Sequence, residues 1–406
     1  MLEFLDNIPL DGSDIPSLVA LRQKGKSAFY GLPSKKTEAF KYTPIANALT
    51  EEMFFKPDSQ CHEEHCHCHE SHLGFDAYEF HFCDGHLHEH FHLMDGLEVS
   101  TLLDALLEHE TSKYLNKTDL TKFPFAALNT AYLEQGLFLR ISKKLDKPMA
   151  FIYHNKSNGF KNIRNIIVVE KDAKAELVEV FEGQDGVYFT NVVNEIFISK
   201  NATLSHYKLQ KESKNAVHIT LQSVHIKSNG NYESYTLQKG SKLARNETHI
   251  SLKEEGARAL VNGAYLINNS SIIDTTTDIE HLSPQTTSNQ LVKGVINQCA
   301  HGVFQGKIHI APNAVQTEGY QLHKVLLLSD DASVDVKPEL EIFADDVKCS
   351  HGSTSGDINK DELFYLQSRG IPKNDARQIL TTAFINEAFE GIRNQDIKTF
   401  LENSQS

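Results

Sequence analysis

A short template recurs through the middle of the chain and leaves few folds open to it. VVEKDAKAEL from Val168, FISKNATLSH from Phe197, HIKSNGNYES from His225 and SLKEEGARAL from Ser251 share one form: an apolar residue, two or three polar turn residues, a small Ala or Gly, then a new strand. Their starts are about 29, 28 and 26 residues apart, the length of one coil of a β-solenoid. HIAPNAVQTE from His309 and LLSDDASVDV from Leu327 repeat the form at closer spacing. Between the turns lie runs rich in β-branched residues: Ile166–Val169, Leu177–Phe181, Val192–Ile198, Val217–Ile226, Tyr232–Leu237 and Val325–Leu328. One coil is too short to bury its own apolar face, so coils must stack into a continuous core. The small residue suits a tight corner between strands. A β-sandwich explains the strands but not a shared template at near-constant spacing.

The flanks are helical. Residues 1–145 form an N-terminal mixed domain, with helices expected around Leu18 to Phe29, Leu102 to Leu107 and Ala126 to Leu133, and a break at Gly136. Residues 146–350 are the β core, and 351–406 are helical again. DELFYLQSRGI reads as a short helix stopped at Gly370. A longer helix follows, with Ala376, Ile379, Leu380, Ala383, Phe384, Ala388 and Phe389 on one broad face. These helices are expected to cap the solenoid, since an open end exposes sheet edges.

Composition removes whole classes of function. The net charge is −14, and the longest basic clusters are Lys35–Lys36 and Lys143–Lys144, so no stripe exists for a nucleic-acid backbone. No apolar run reaches the ~20 residues of a membrane span. The acidic start MLEFLDNIPLDGSD does not read as a secretory signal, so a cytoplasmic address is expected, with cysteines as thiols or metal ligands. No phosphate loop, nucleophile elbow or zinc-protease helix is present, so the chain reads as non-catalytic.

LPSKKTEAFKYTPI (Leu32–Ile45), ALNTAYLEQGLFLRI (Ala127–Ile141), HLSPQTTSNQLVKGVI, GVFQGKIHIAPNAVQTEGYQ, LLLSDDASVDVKPELEIFADDVKCSHGSTSG and DELFYLQSRGI are together similar to the SufB/SufD family. The Cys-x-His of ADDVKCSHGST, and the lack of a longer N-terminal cysteine region, resemble its SufD branch. One departure is Phe40, where the family usually has Trp before Lys-Tyr-Thr-Pro. The resemblance implies a right-handed parallel β-helix flanked by helical domains, and a non-catalytic scaffold of iron–sulfur cluster assembly. It implies pairing with SufB, docking of the SufC ATPase on the C-terminal helices, a homodimer when isolated, and a transient iron–sulfur cluster at the SufB interface.

Cys349 and His351 lie two apart on the expected last strand, so their side chains share a face. Thiolate and imidazole both ligate iron or zinc, but two ligands are half of a four-coordinate site. By resemblance, His351 matches the SufD histidine at the SufB interface, with Cys349 beside it. Cys299 and His301 repeat the spacing but read as core or surface residues. Phe364, Tyr365, Arg369, Phe384 and Phe389 are the expected SufC contacts.

The segment 61–92 holds ten of the 21 His and four of the six Cys. Cys61, His62, His65, Cys66, His67, Cys68, His69 and His72 offer many overlapping ligand sets for zinc or another transition metal, rather than one defined site. FHFCDGHLHEHFH reads as a hairpin turning at Asp84-Gly85, its histidines on a solvated face. Two other functions compete with the scaffold. A metal-storage or delivery protein would use the His-rich segment. A carbohydrate-active β-helix enzyme would need a groove of clustered acids, which no strand face supplies.

Overall fold

The computed structural model describes residues 10, 12, 15–55, 72–88, 94–107, 113–115, 117–183 and 185–405. The N-terminal part carries α1 (Pro16–Ala28), α2 (Ile45–Ala48), β1 (Tyr78–Cys83), β2 (His86–Leu87), β3 (Leu97–Thr101), α3 (Leu102–Leu107) and α4 (Pro124–Ala131). Proline opens both α1 and α4, where its missing N–H costs nothing.

Sixteen strands then wind the solenoid. They run β4 (Leu137–Ile141), β5 (Met149–Asn155), β6 (Gly159–Val169), β7 (Lys174–Gly183), β8 (Tyr188–Ile198), β9 (Thr203–Lys211), β10 (Val217–Ile226) and β11 (Asn231–Gln238). β12 (Leu243–Leu252), β13 (Arg258–Ile267), β14 (Ile272–His281), β15 (Thr287–Ile296), β16 (His301–Ile310), β17 (Glu318–Leu327), β18 (Ser333–Ile342) and β19 (Lys348–Gly356) follow. Odd-numbered strands from β5 to β19 stack in parallel in one sheet, and even-numbered strands from β4 to β18 in the other. The chain is therefore a mainly β solenoid of about eight turns, with helices at both termini.

The corners show how the template works. Asp172, Asn201, Asn229 and Gly256 take the left-handed backbone, with φ of 63°, 60°, 52° and 73°. Asp and Asn tolerate that region best among residues with a side chain. The small residue one step later (Ala173, Ala202, Gly230 or Ala257) closes the turn by donating its N–H three residues back. Ala173, Ala202 and Ala257 are fully buried. The tight conformation thus falls on the residue before the small one, which is small because it packs inward. Coil then locks to coil: Asp172 N–H donates to Lys200 O at 3.1 Å, and Asn201 N–H to Ser228 O at 3.0 Å.

Inside, identical register stacks like on like. Ile167, Ile196, Val224, Ile250, Ile279 and Ile308 form one column of buried side chains. Each contributes about 1.5–3 kcal/mol by leaving water. The neighbouring column is polar: Asn165 Nδ2 donates to Asn194 Oδ1, and Asn194 Nδ2 to Gln222 Oε1, both at 2.9 Å. Across the lumen Glu179 accepts from Tyr153, Asn194 and Gln222 and pairs with His206 at 2.9 Å.

The N-terminal part extends the first coil. β1 joins the odd-numbered sheet beside β5, and β3 joins the even-numbered sheet beside β4. β1 and β2 do form the expected hairpin, with positive φ at Asp84 and Gly85. Its histidines do not all face water, however. His81 stacks on His154 at 5.5 Å between ring centres, because β1 is an added solenoid strand whose outer residues pack on β5. Gly136 is forced by close approach, since a Cβ there would lie 1.7 Å from the Arg164 carbonyl oxygen.

At the other terminus come α5 (Lys360–Ser368), α6 (Lys373–Asn386) and α7 (Gln395–Asn403). Asn359 and Asn394 cap α5 and α7 with their side-chain oxygens. These helices do not cover the end of the solenoid. Ile385, Ala388, Phe389, Ile392, Ile397 and Leu401 instead pack on the outer flank of the odd-numbered sheet, against residues such as Tyr207, Tyr235 and Val295. α6 buries Ala376 and Ile385 but leaves Ile379 and Ala383 exposed, so the broad apolar face is only partly used. The last coil stays open: no residue of β18 or β19 is buried.

Candidate functional site

The open end is two edge strands, β18 and β19, each paired on one side only. β18 carries Pro338, a residue that sheets accept at edges because it has no N–H to give. Ile342 and Phe343 at its end are 42% and 61% exposed, where a following coil would have covered them. β19 reads KCSHGSTSG, small and polar, so another backbone could approach closely.

Cys349 and His351 sit on this edge. Their register partners on β17 are Gly319 and Gln321, both buried, so the pair continues two rows of inward-facing positions to the mouth of the lumen. Cys349 is half-buried and packs beside Ile308, Ile310, Ala314 and Ala344; burial raises its thiol pKa. His351 is exposed. A half-buried thiol beside an exposed imidazole gives two ligands with room for others from outside.

Two further residues belong to this mouth and were not legible in the sequence. Gln321, one rung below His351, is only 3% exposed, and neither its amide nitrogen nor its carbonyl oxygen has a hydrogen-bond partner. Gly306 makes space for it: a Cβ there would lie 1.9 Å from Gln321 Nε2. His323, next along β17, is buried between the rings of Tyr265 and Phe304, and burial lowers its pKa to about 4. The signal available was the second glycine of GVFQG, which is Gly306.

The other expected site residues are scattered. Phe364 and Tyr365 on α5 are 72% and 56% exposed, and the Arg369 guanidinium lies 5.2 Å from the Tyr365 ring centre. Phe384 is half-buried under the Lys293 ammonium, 3.9 Å from its ring centre. Phe389 is fully buried in the flank core, so it holds the helices to the sheet and offers no surface. Cys299 is exposed, and His301 pairs with Asp335 at 3.2 Å. His72 is exposed; Cys61, His62, His65, Cys66, His67, Cys68 and His69 lie outside the described residues.

The N-terminal motif has a structural explanation. Phe40 is buried with the Arg245 guanidinium 4.3 Å above its ring, a cation–π contact that an indole would also make. Gln305 of GVFQG donates to the Ala39 carbonyl at 3.1 Å, and Thr43 bonds Asp274. Segments far apart in sequence therefore meet on the outer face of the even-numbered sheet.

Comparison with known proteins agrees with this architecture. Residues 151–384 match the family described as SUF system FeS cluster assembly, SufBD core domain. The chain is similar to the iron–sulfur cluster assembly protein SufD of Escherichia coli, at 34% identity over 58% of this chain and 56% of that one. It is also similar to a SufBD family protein of Synechocystis, at 30% identity over 72% of this chain and 68% of that one. A chloroplastic protein of Arabidopsis thaliana is 34% identical over 64% of this chain, the match spanning just over half, 57%, of its length. With more than half its length inside the core-domain match, the chain belongs to the SufBD family of SUF iron–sulfur cluster assembly.

Proposed function

We propose that this chain is a SufD-type, non-catalytic scaffold whose open coil end pairs with a SufB-type partner to complete a site for a nascent iron–sulfur cluster. The observation that carries this reading is the uncapped final coil with Cys349 and His351 at its mouth. Edge strands with unpaired backbone groups bind other edges unless something blocks them. Here the C-terminal helices turn aside and the β19 side chains are small, whereas β18 carries Pro338 and several charges, so β19 is the edge open to pairing. The cluster is cargo: Cys349 and His351 supply part of its ligand set, and the partner's edge supplies the rest. Without SufB, two copies of this chain pair through the same edges.

The SufC-type ATPase docks on α5 and its C-terminal end, where Phe364, Tyr365 and Arg369 are exposed. Co-expression with SufB- and SufC-type partners tests the whole reading, and a stable three-protein complex is expected. In that complex His351→Ala should leave subunit composition intact and reduce cluster yield, read by visible absorption and acid-labile sulfide, at least about tenfold, the scale on which site partners tune metal affinity. Undiminished cluster yield would remove His351 from the site.

A further inference from the structure

A second cluster of ligating side chains lies on the outer face of the even-numbered sheet, away from the open end. His249 on β12 faces Asp278 on β14 in register, and Glu280 is two residues further along the same strand face. One ligand atom from each of the three lies within 4.8 Å of the others. All three are largely shielded: 12% of the His249 side chain is exposed, 13% of Asp278 and 28% of Glu280.

The polar bonding there is incomplete. Both ring nitrogens of His249 and Oδ1 of Asp278 are buried with no hydrogen-bond partner. His249 Nε2 meets Glu280 Oε2 at 3.3 Å in a weakly aligned contact, and the same oxygen accepts from Ser251 Oγ at 3.1 Å. His225 on β10, in register with Ser251 and near enough to feel the charges of His249 and Glu280, is 7% exposed. Both of its nitrogens are also unpartnered. A buried polar atom without a partner costs about 1–3 kcal/mol, so such a cluster is completed by ordered water or by an ion.

A cation already stands at the edge of the cluster. Lys122 Nζ is 2.5 Å from Asp278 Oδ2 and 3.8 Å from Glu280 Oε1, while its side chain remains 42% exposed and free to withdraw. Lys122, Phe123 and Asp278 also line a cleft of about 340 Å³ between the N-terminal part and the sheet, which gives an ion a way in.

We propose that His249, Asp278 and Glu280 bind a divalent first-row transition ion, with Lys122 as the counter-cation it displaces. One imidazole and two carboxylates with further positions open to water is a borderline donor set that suits zinc or ferrous iron, whereas calcium and magnesium prefer oxygen alone. Binding satisfies the His249 lone pair and the free Asp278 oxygen together, and ties β12 to β14 from outside. The site is independent of the cluster half-site on β19.

Co²⁺ titration of the full chain, followed by visible absorption and paired with Zn²⁺ equilibrium dialysis, tests this. Nitrogen and oxygen ligands give ligand-field bands alone. Cysteines of the 61–92 segment would add a thiolate-to-cobalt charge-transfer band but its histidines would not, so the substitutions, and not the spectrum alone, separate the two sources. His249→Ala should lose one equivalent of metal and the thiolate-free component, or weaken it more than about tenfold. Asp278→Asn, nearly isosteric, should do the same if His249→Ala folds poorly. Lys122→Met should bind several-fold tighter. Equal stoichiometry and affinity in wild type and Asp278→Asn, with Lys122→Met unchanged, would overturn the proposal.

Discussion

Glu179 is a carboxylate sealed inside the solenoid, and its surroundings decide how the protein responds to acid. Burial pushes its pKa up; the bond and charge of His206, the charge of Lys208 and the bond from Asn194 outweigh that and hold it at about 2. Burial drives Lys208 down to about 8 against the pull of Glu179 and Glu212. A carboxyl held below its unfolded value stabilises the fold above about pH 4.5, and that contribution drains away as pH falls toward 2. Glu179→Gln should therefore unfold at lower urea at pH 7, by about 3 kcal/mol, because His206 and Lys208 lose a buried partner. It should also flatten the loss of stability between pH 4.5 and 2, both read from urea unfolding across that range. A sequence cannot announce such a residue. Along β7 the alternation of faces is visible, but a Glu at an inward position looks the same as one at an outward position until Asn194, Gln222 and His206 are known to surround it.

At the scale of elements, what was legible was what repeats locally. The turn template marks each corner through residues such as Asp172-Ala173 and Asn201-Ala202, because backbone handedness and inward space are local demands. The end of α5 was likewise marked, by Gly370. Where the C-terminal helices lie was not. An apolar stripe states that a helix buries one face, without saying whether it lies over the end of a stack or along its side. α7, amphipathic and anchored by Ile397 and Leu401, follows the last segment the sequence pattern singled out, and it secures the flank position. α5 is the exception, with no buried residue at all. Phe364→Ser with Tyr365→Ser on α5 should leave the thermal midpoint within about 1 °C, since exposed substitutions cost little. The same pair should abolish co-purification of the ATPase; retention of the ATPase would move its dock elsewhere.

For the molecule as a whole, stability passes from coil to coil, each resting on its neighbours. The final coil has one neighbour, so its amides should exchange faster than those of interior coils. Hydrogen exchange of the isolated chain at low concentration should show β18 and β19 protected less than β10 and β12, with protection rising when the SufB-type partner is added. No change on adding the partner would mean that binding occurs on another face. The asymmetry of the rod has a further effect on number. β1, β2 and β3 extend the two sheets at one tip and β18 and β19 end them at the other, so the proposed β18–β19 pairing joins like tip to like tip. Two rods joined in this way would leave no β18–β19 tip to recruit a third. On the proposed pairing, a stack of strands that could grow into a fibre would stop at a pair.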